Sequence, residues 1–191
     1  MKSARLALAL TAGLVAAIAG YFALVVPEPA DKVMGDTSDA RPVWAEVKWP
    51  FPIDQWGTGR AFACKMADCG TEAKLYLRAK LGSCNCTTGV ADDADLDRMS
   101  DFDLVGGEVS PLGAGRPITI AWMRGRSRTY TLAAGHRLGK SAISVVFNDR
   151  CDMIVATVVL PQDRPATIES SVMEFLNSRT VLHWAEVALG I

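Results

Sequence analysis

The sequence predicts an α+β domain, in which an antiparallel β-sheet carries C-terminal helices on one face and follows an apolar N-terminal export or anchor helix. Short runs alternate apolar and polar residues, as in half-buried strands. Apolar residues recur at helical spacing only near the C-terminus. Near the start of the chain, an uncharged run follows two basic residues. We divide the chain into a leader (1–26), a polar tether (27–41) and one domain (42–191).

The leader predicts where the domain works. Lys2 and Arg5 precede 21 uncharged residues, 6–26, and a basic start before an apolar run is typical of an export segment. As a helix this run spans about 32 Å, against about 30 Å of membrane hydrocarbon. We therefore expect a single-pass anchor in the inner membrane, with the domain in the periplasm. Cleavage after Ala17-Ile18-Ala19, which would release a periplasmic protein, is the alternative.

Length and charge limit the function classes. Residues 27–41 are mostly polar and contain Pro27 and Pro29, as in a tether, and the remaining 150 or so residues match one domain. The whole chain has a net charge of −1. Without Lys2 and Arg5 it carries 18 basic and 21 acidic residues, a net charge of −3. A nucleic-acid partner is not expected, because such proteins are usually basic.

The first half of the domain contains three candidate strands and one short helix. In the first strand, one face carries Val43, Ala45, Val47 and Trp49, and the other carries Trp44, Glu46 and Lys48. We expect the first face to be turned to the core. Further strands are predicted over 60–64 and 73–81. Asp92 and Asp93 suit the start of a short helix over 92–103, where carboxylates meet free backbone N–H groups.

The second half predicts two hairpins. One joins strands at 118–122 and 129–133 through a turn at Arg124-Gly125-Arg126. The other joins 143–147 to 153–160 through Asn148-Asp149-Arg150. Because 153–160 is almost continuously apolar, we expect it to be a central strand covered on both faces.

Two helices are predicted at the C-terminus. Pro165 suits a first helical turn, and the helix over 165–178 would cover the core. The second begins at Thr180 and ends before Gly190. The apolar residues expected to face the sheet are Ile168, Val172, Phe175, Leu176, Val181, Trp184, Ala185 and Ala188.

Four of the five cysteines lie close together in sequence, and outside the cytoplasm such clusters usually form disulfides. We prefer the nested pairing Cys64–Cys86 with Cys69–Cys84, which suits two facing strands. Cys151 would then be a buried, free thiol. The second choice pairs Cys64 with Cys69 and joins Cys84 or Cys86 to Cys151.

The same cluster allows two functional interpretations. Thiolates at Cys64, Cys69, Cys84 and Cys86 could bind copper(I) or zinc, although their spacing is not that of a zinc ribbon. Alternatively, Cys84 and Cys86 could exchange disulfides. The preferred disulfide interpretation requires no metal and no cofactor.

Two groups of side chains could form a partner surface. Arg124, Arg126 and Arg128 would line one side of a strand and could bind anionic groups, or they could simply face water. Trp44 and Trp56, near two prolines, could form an aromatic groove or pack internally.

Catalytic and calcium motifs fit poorly. The acidic run at Asp93, Asp95 and Asp97 has Arg98 where a calcium loop needs glycine. We find no nucleophile–histidine–acid arrangement around His136 or His183. The sequence therefore favours a non-enzymatic binding or assembly module, stapled by disulfides, whose partner is an unknown protein or a small anionic ligand.

Overall fold

The computed structural model describes residues 43–106, 108–134, 137–161 and 167–191. The predicted leader (1–26) and tether (27–41), His136 and the predicted helix start at Pro165 lie outside these ranges. Within them, we find no helix whose length and apolar character would let it cross a membrane.

The described residues form one antiparallel sheet of eight strands. The strands are β1 (Trp44–Val47), β2 (Arg60–Cys64), β3 (Ala73–Lys80), β4 (Glu108–Pro111), β5 (Arg116–Ile120), β6 (Met123–Ala134), β7 (Arg137–Asp149) and β8 (Asp152–Pro161). Their spatial order is β1-β2-β3-β8-β7-β6-β4, and β5 also pairs with β6. Residues 141–147 of β7 and most of β8, in the interior of the sheet, are buried.

Five helices accompany the sheet in the described ranges. Their bounds are α1 (Met66–Cys69), α2 (Asp93–Met99), α3 (Phe102–Val105), α4 (Ile168–Leu176) and α5 (Arg179–Leu189). The predicted helix start at Asp92 is found one residue before α2, where the Asp92 side chain accepts a hydrogen bond from the Asp95 N–H. Gly190 ends α5 in the left-handed conformation, with φ of 70°.

The two faces of the sheet are covered by different parts of the chain. On one face, α4 and α5 bury Ile168, Val172, Leu176 and Val181 against a large apolar core. On the other, the segment 84–99 forms a smaller core with side chains of β7 and β8. The predicted α+β class with an antiparallel sheet is therefore confirmed.

The predicted turn at Arg124-Gly125-Arg126 is wrong, because these residues lie inside β6. The chain reverses earlier, at Ala121 and Trp122, and Ala121 has a positive φ of 50°. Gly125 is needed for another reason. A side chain at this position would collide with the carbonyl oxygen of Val146 on the neighbouring strand.

The predicted buried face of β1 is also wrong. Val43 and Val47 are exposed, whereas Trp44 is 4% exposed and belongs to the large core. The Trp44 ring stacks on Phe175 of α4, with 5.4 Å between ring centroids. One large aromatic contact thus decides which side of this edge strand is covered, against the pattern of the smaller apolar residues.

The disulfides are Cys64–Cys69 and Cys86–Cys151, which confirms the second-choice pairing, and the buried free thiol is Cys84 instead of the expected Cys151. The nested pairing Cys64–Cys86 with Cys69–Cys84 is wrong because β3 separates its members. Cys64 pairs in register with Ala73 at the start of β3, whereas Cys84 and Cys86 follow its end. Seven residue steps in a strand span about 23 Å, far beyond the reach of a disulfide.

Candidate functional site

Two cations of β3 lie in the protein interior. Leu75 and Leu77 of this strand point into the large core, so the alternate residues Arg78 and Lys80 point to the opposite face. Segments 49–56 and 98–104 cover that face, and the two basic side chains are only 4% and 10% exposed. Charges at this depth require partners.

Asp101 is the partner that both cations share. Its Oδ2 lies 3.0 Å from the Nε of Arg78, and its Oδ1 lies 2.7 Å from the Nζ of Lys80. The Asp101 side chain is itself 7% exposed. Lys80 also donates to the carbonyl oxygen of Met99, at 2.9 Å. These contacts fix the chain between α2 and α3 to the sheet.

Asp54 contacts the same arginine from the other side, through Arg78 Nη1, and is 44% exposed. A turn positions it, because its side chain accepts from the Trp56 N–H at 2.8 Å and its carbonyl accepts from the Gly57 N–H. The hydrogen bond from Arg78, followed by that from Trp56, lowers the pKa of Asp54. Asp54 is therefore a carboxylate at neutral pH, at the boundary between Arg78 and water.

Aromatic rings form one wall of the site. The guanidinium carbon of Arg78 lies 5.9 Å from the centre of the Trp49 ring, and Lys80 Nζ lies 5.6 Å from that of Trp56. Phe51 packs edge-on against Tyr76, at 4.8 Å between centroids. Ring faces attract cations, so this wall stabilises the positive charges while it limits their access to water.

Together these residues line a cleft of about 550 Å³ that is open to solvent, a volume typical of small-molecule sites. We call it the polar cleft. Its chemistry suits binding, because a guanidinium and an ammonium beside aromatic rings recognise carboxylate or phosphate oxygens. It is lined by Phe51, Pro52, Asp54, Gln55, Trp56, Arg78, Lys80, Arg98, Ser100, Asp101, Asp103 and Leu104.

The arginines predicted as a partner surface are mostly engaged inside the protein. Arg126 binds Asp93 at 2.6 Å, and Arg128 binds Asp97 at 3.0 Å, which fastens α2 to β6. Arg124 alone of the three is exposed. The structure therefore does not present these arginines as a row of available cations.

The predicted aromatic groove is not formed either. Trp44 lies in the large core, whereas Trp56 lines the polar cleft on the opposite face of the sheet. Trp49, expected in the core with Val43, instead contacts Phe51 and Tyr76 beside the cleft. Of the predicted partner residues, Trp56 and Arg124 are thus the ones whose positions leave them available.

Three of the four thiols proposed as metal ligands are in disulfides. Cys64 and Cys69 are bonded to each other, and Cys86 is bonded to Cys151. Cys84 is the remaining one, and it lies on the far side of β3 from Cys64 and Cys69. In the described part of the chain, no group of three or more Cys, His, Asp or Glu side chains is arranged to bind a metal ion. The described structure therefore gives no support to a four-thiolate centre.

Sequence reasoning missed the residues of the cleft, namely Asp54, Arg78, Lys80 and Asp101. Arg78 follows Leu77 in a strand whose side chains alternate between the two faces. A solvent-facing side chain shows the same pattern. The pattern of β3 carries no signal that distinguishes the two cases, because the burial of Arg78 and Lys80 depends on the segments 49–56 and 98–104 that cover this face.

The comparisons with known proteins leave the family open. No protein-family model matches the chain, and no curated protein matches it significantly. Among solved structures, it is similar to the solution structure of cyanobacterial PsbP (CyanoP) from Synechocystis sp. PCC 6803. The identity is 12% and the TM-score 0.42, over 70% of this chain and 78% of that one. A similarity at this level does not transfer a function.

Proposed function

We propose that this protein is an extracytoplasmic binding domain, anchored in the inner membrane through residues 6–26, which takes a small carboxylate or similar anion into the polar cleft. Two disulfides support the location, because such bonds persist mainly in oxidising compartments. The apolar leader supports the anchor. In the alternative, the leader is cleaved and the same domain acts in the periplasm.

One observation carries the proposed binding role, namely the position of Asp54 on Arg78. Arg78 forms the floor of the cleft, and the carboxylate that separates its Nη1 from water is half-exposed and belongs to a surface turn. A ligand carboxylate can replace Asp54 without leaving the guanidinium unpaired. Such an exchange preserves the charge balance of the interior, so its electrostatic cost is small.

The remaining contacts favour a small and partly apolar acid. Phe51 and Trp56 offer ring surface beside the cations. Asp101 stays in place, because both of its oxygens are engaged by buried cations. The ligand carboxylate therefore takes the place of Asp54 on Arg78, and the ion pairs of Asp101 with Arg78 and Lys80 are kept.

Calorimetric titration of the folded domain tests the binding role. The probes are acetate, succinate, citrate, benzoate and inorganic phosphate, and the key variant is Asp54→Asn. Asparagine can still accept from the Trp56 N–H, so the turn is kept while the competing charge is removed. We expect at least one carboxylate to bind Asp54→Asn about tenfold more tightly than the parent.

Arg124→Gln is the matched control, since it removes an exposed cation outside the cleft. It should bind the same carboxylate with the parent's affinity. The proposed binding role is wrong if none of the five probes binds either protein, or if Asp54→Asn gains no affinity. A loss of affinity in Arg124→Gln would place the binding on the outer surface and contradict the role of the polar cleft.

Reporter fusions test the location independently of any ligand. A C-terminal enzyme that is active only after export should be active on the full chain, and a reporter active only in the cytosol should be inactive. The reverse pattern would contradict the proposed periplasmic location and leave the binding experiment unaffected.

A further inference from the structure

Three cysteines meet where the segment after β3 touches the turn between β7 and β8. Cys86, which is exposed, is bonded to Cys151 in that turn. Cys84, two residues earlier, is a free thiol and is only 9% exposed. The segment Cys84-Asn85-Cys86 therefore contains two sulfur atoms with which Cys151 could form a disulfide.

The backbone brings Cys84 to the partner of Cys86. The Cys84 N–H donates to the carbonyl oxygen of Cys151 at 3.2 Å, and its thiol donates to that of Arg150 at 3.3 Å. With standard backbone dimensions, the first hydrogen bond keeps the two Cα atoms within about 7 Å of each other. Disulfides join Cα atoms about 4.4–6.8 Å apart, so a small shift permits a Cys84–Cys151 bond.

We propose that Cys84, Cys86 and Cys151 form one thiol–disulfide exchange centre, in which Cys151 bonds to either of the other two cysteines. The Cys84 thiolate attacks the Sγ of Cys151. The Cys84–Cys151 bond forms as the Cys86–Cys151 bond breaks, and Cys86 leaves as a thiolate. Cys84 gives up one proton and Cys86 takes one up, so no oxidant or reductant is consumed.

The exchange moves the free thiol from the interior to the surface. In the present arrangement Cys84 packs in the small core with Val90, Val146 and Val155, and its pKa is raised, first by burial and then by the charge of Asp152. Both effects protect it from outside reagents. In the exchanged form the exposed Cys86 could attack a disulfide of another exported protein. This activity is independent of the polar cleft.

Peptide mapping of the native protein detects the exchange directly. The oxidised full-length protein is incubated with N-ethylmaleimide at about pH 8.5, near the ordinary pKa of a cysteine thiol. It is then digested with trypsin without reduction. Cys84 and Cys86 share the peptide 81–98, and Cys151 lies in 151–179, since Pro165 blocks cleavage after Arg164. Fragment ions then show which cysteine carries the label.

We expect a disulfide-linked pair of these peptides labelled at Cys86 to accumulate during a day of incubation. Circular dichroism must show that the protein stays folded. The proposal is wrong if the label is confined to Cys84, or if no label appears at Cys86 during that day. Cys84→Ser is the control, because without Cys84 the label at Cys86 should be absent.

A second variant tests the geometry alone. In oxidised, folded Cys86→Ser, we expect Cys84 and Cys151 to bond, so that thiol counting after unfolding finds no free thiol. The bond between Cys64 and Cys69, which links peptides 61–65 and 66–74, serves as an internal standard for complete oxidation. Two free thiols per chain with this standard intact would overturn the proposal.

Discussion

The Nε of Arg78 lies 3.0 Å from Oδ2 of Asp101, and both side chains are more than nine-tenths buried. Arg78 belongs to the sheet, and Asp101 to the connection between α2 and α3. This ion pair therefore attaches the two short helices α2 and α3 to the centre of the sheet. It also places a guanidinium at the floor of the polar cleft, where Asp54 reaches it from outside.

Asp101→Ala should destabilise the domain strongly, because it leaves Arg78 and Lys80 buried without their shared carboxylate. Removing one member of a buried ion pair costs about 3–5 kcal/mol. Urea unfolding, followed by tryptophan fluorescence, measures the change in the free energy of unfolding.

Glu46→Gln is the control for Asp101→Ala. It breaks the partly exposed ion pair between Glu46 and Arg60. The free energy of unfolding should fall by less than about 1 kcal/mol. Equal losses in the two variants would show that burial does not determine the strength of the Asp101 contacts.

The apolar pattern predicted the sheet and both C-terminal helices, because their core residues recur with the period of the element that contains them. It could not predict the polar cleft. Arg78 and Lys80 alternate with leucine and alanine, and only the covering by segments 49–56 and 98–104 distinguishes them from surface residues. Nor could it decide between the two cysteine pairings, since the distance between Cys64 and Cys86 depends on where β3 lies between them. The structure has the second choice, Cys64–Cys69 with Cys86–Cys151.

Gly125→Ala should destabilise the domain although it adds a single methyl group. An added Cβ would collide with the Val146 carbonyl oxygen and the Phe147 backbone, which belong to a central strand and cannot move freely. Overpacking of this kind costs about 3 kcal/mol. Thermal unfolding monitored by circular dichroism gives the change.

Gly139→Ala is the matched control for Gly125→Ala. Gly139 lies in β7 and is exposed, and an added Cβ would meet no atom within 4 Å. Its stability should equal that of the parent or exceed it slightly, because alanine has less freedom to lose on folding. If Gly125→Ala were equally harmless, the close approach of β6 and β7 at this position would be contradicted.

Phe175→Ala tests whether α4 depends on its aromatic contacts with the edge of the sheet. Phe175 is half-buried, and its ring lies 5.4 Å from that of Trp44 and 4.9 Å from that of Phe62. Truncation of a buried phenylalanine costs about 3–5 kcal/mol, and partial exposure points to the lower end. Denaturant unfolding should show a loss of about 3 kcal/mol.

The exposed Val187 of α5 provides the comparison for Phe175→Ala. Val187→Ala should change the free energy of unfolding by no more than about 0.5 kcal/mol. A loss of that size in Phe175→Ala would mean that the ring contributes little to the attachment of α4.

Acid should weaken the attachment of α2 to β6, because Asp93 must lose its charge. Its pKa is lowered, first by the hydrogen bond from the Gly115 N–H and then by that from Arg126. A carboxylate with a lowered pKa in the folded state stabilises the protein above its unfolded pKa, near 3.9, and this contribution disappears as the pH falls through the folded value.

Asp93→Asn should therefore be less stable than the parent at neutral pH, and the difference should shrink below about pH 4. Urea unfolding at several pH values measures this difference. Val187→Ala, which is exposed and changes no charge, is the control, and its difference from the parent should not vary with pH. A difference that stays constant down to about pH 2 would contradict the role of the Asp93 charge.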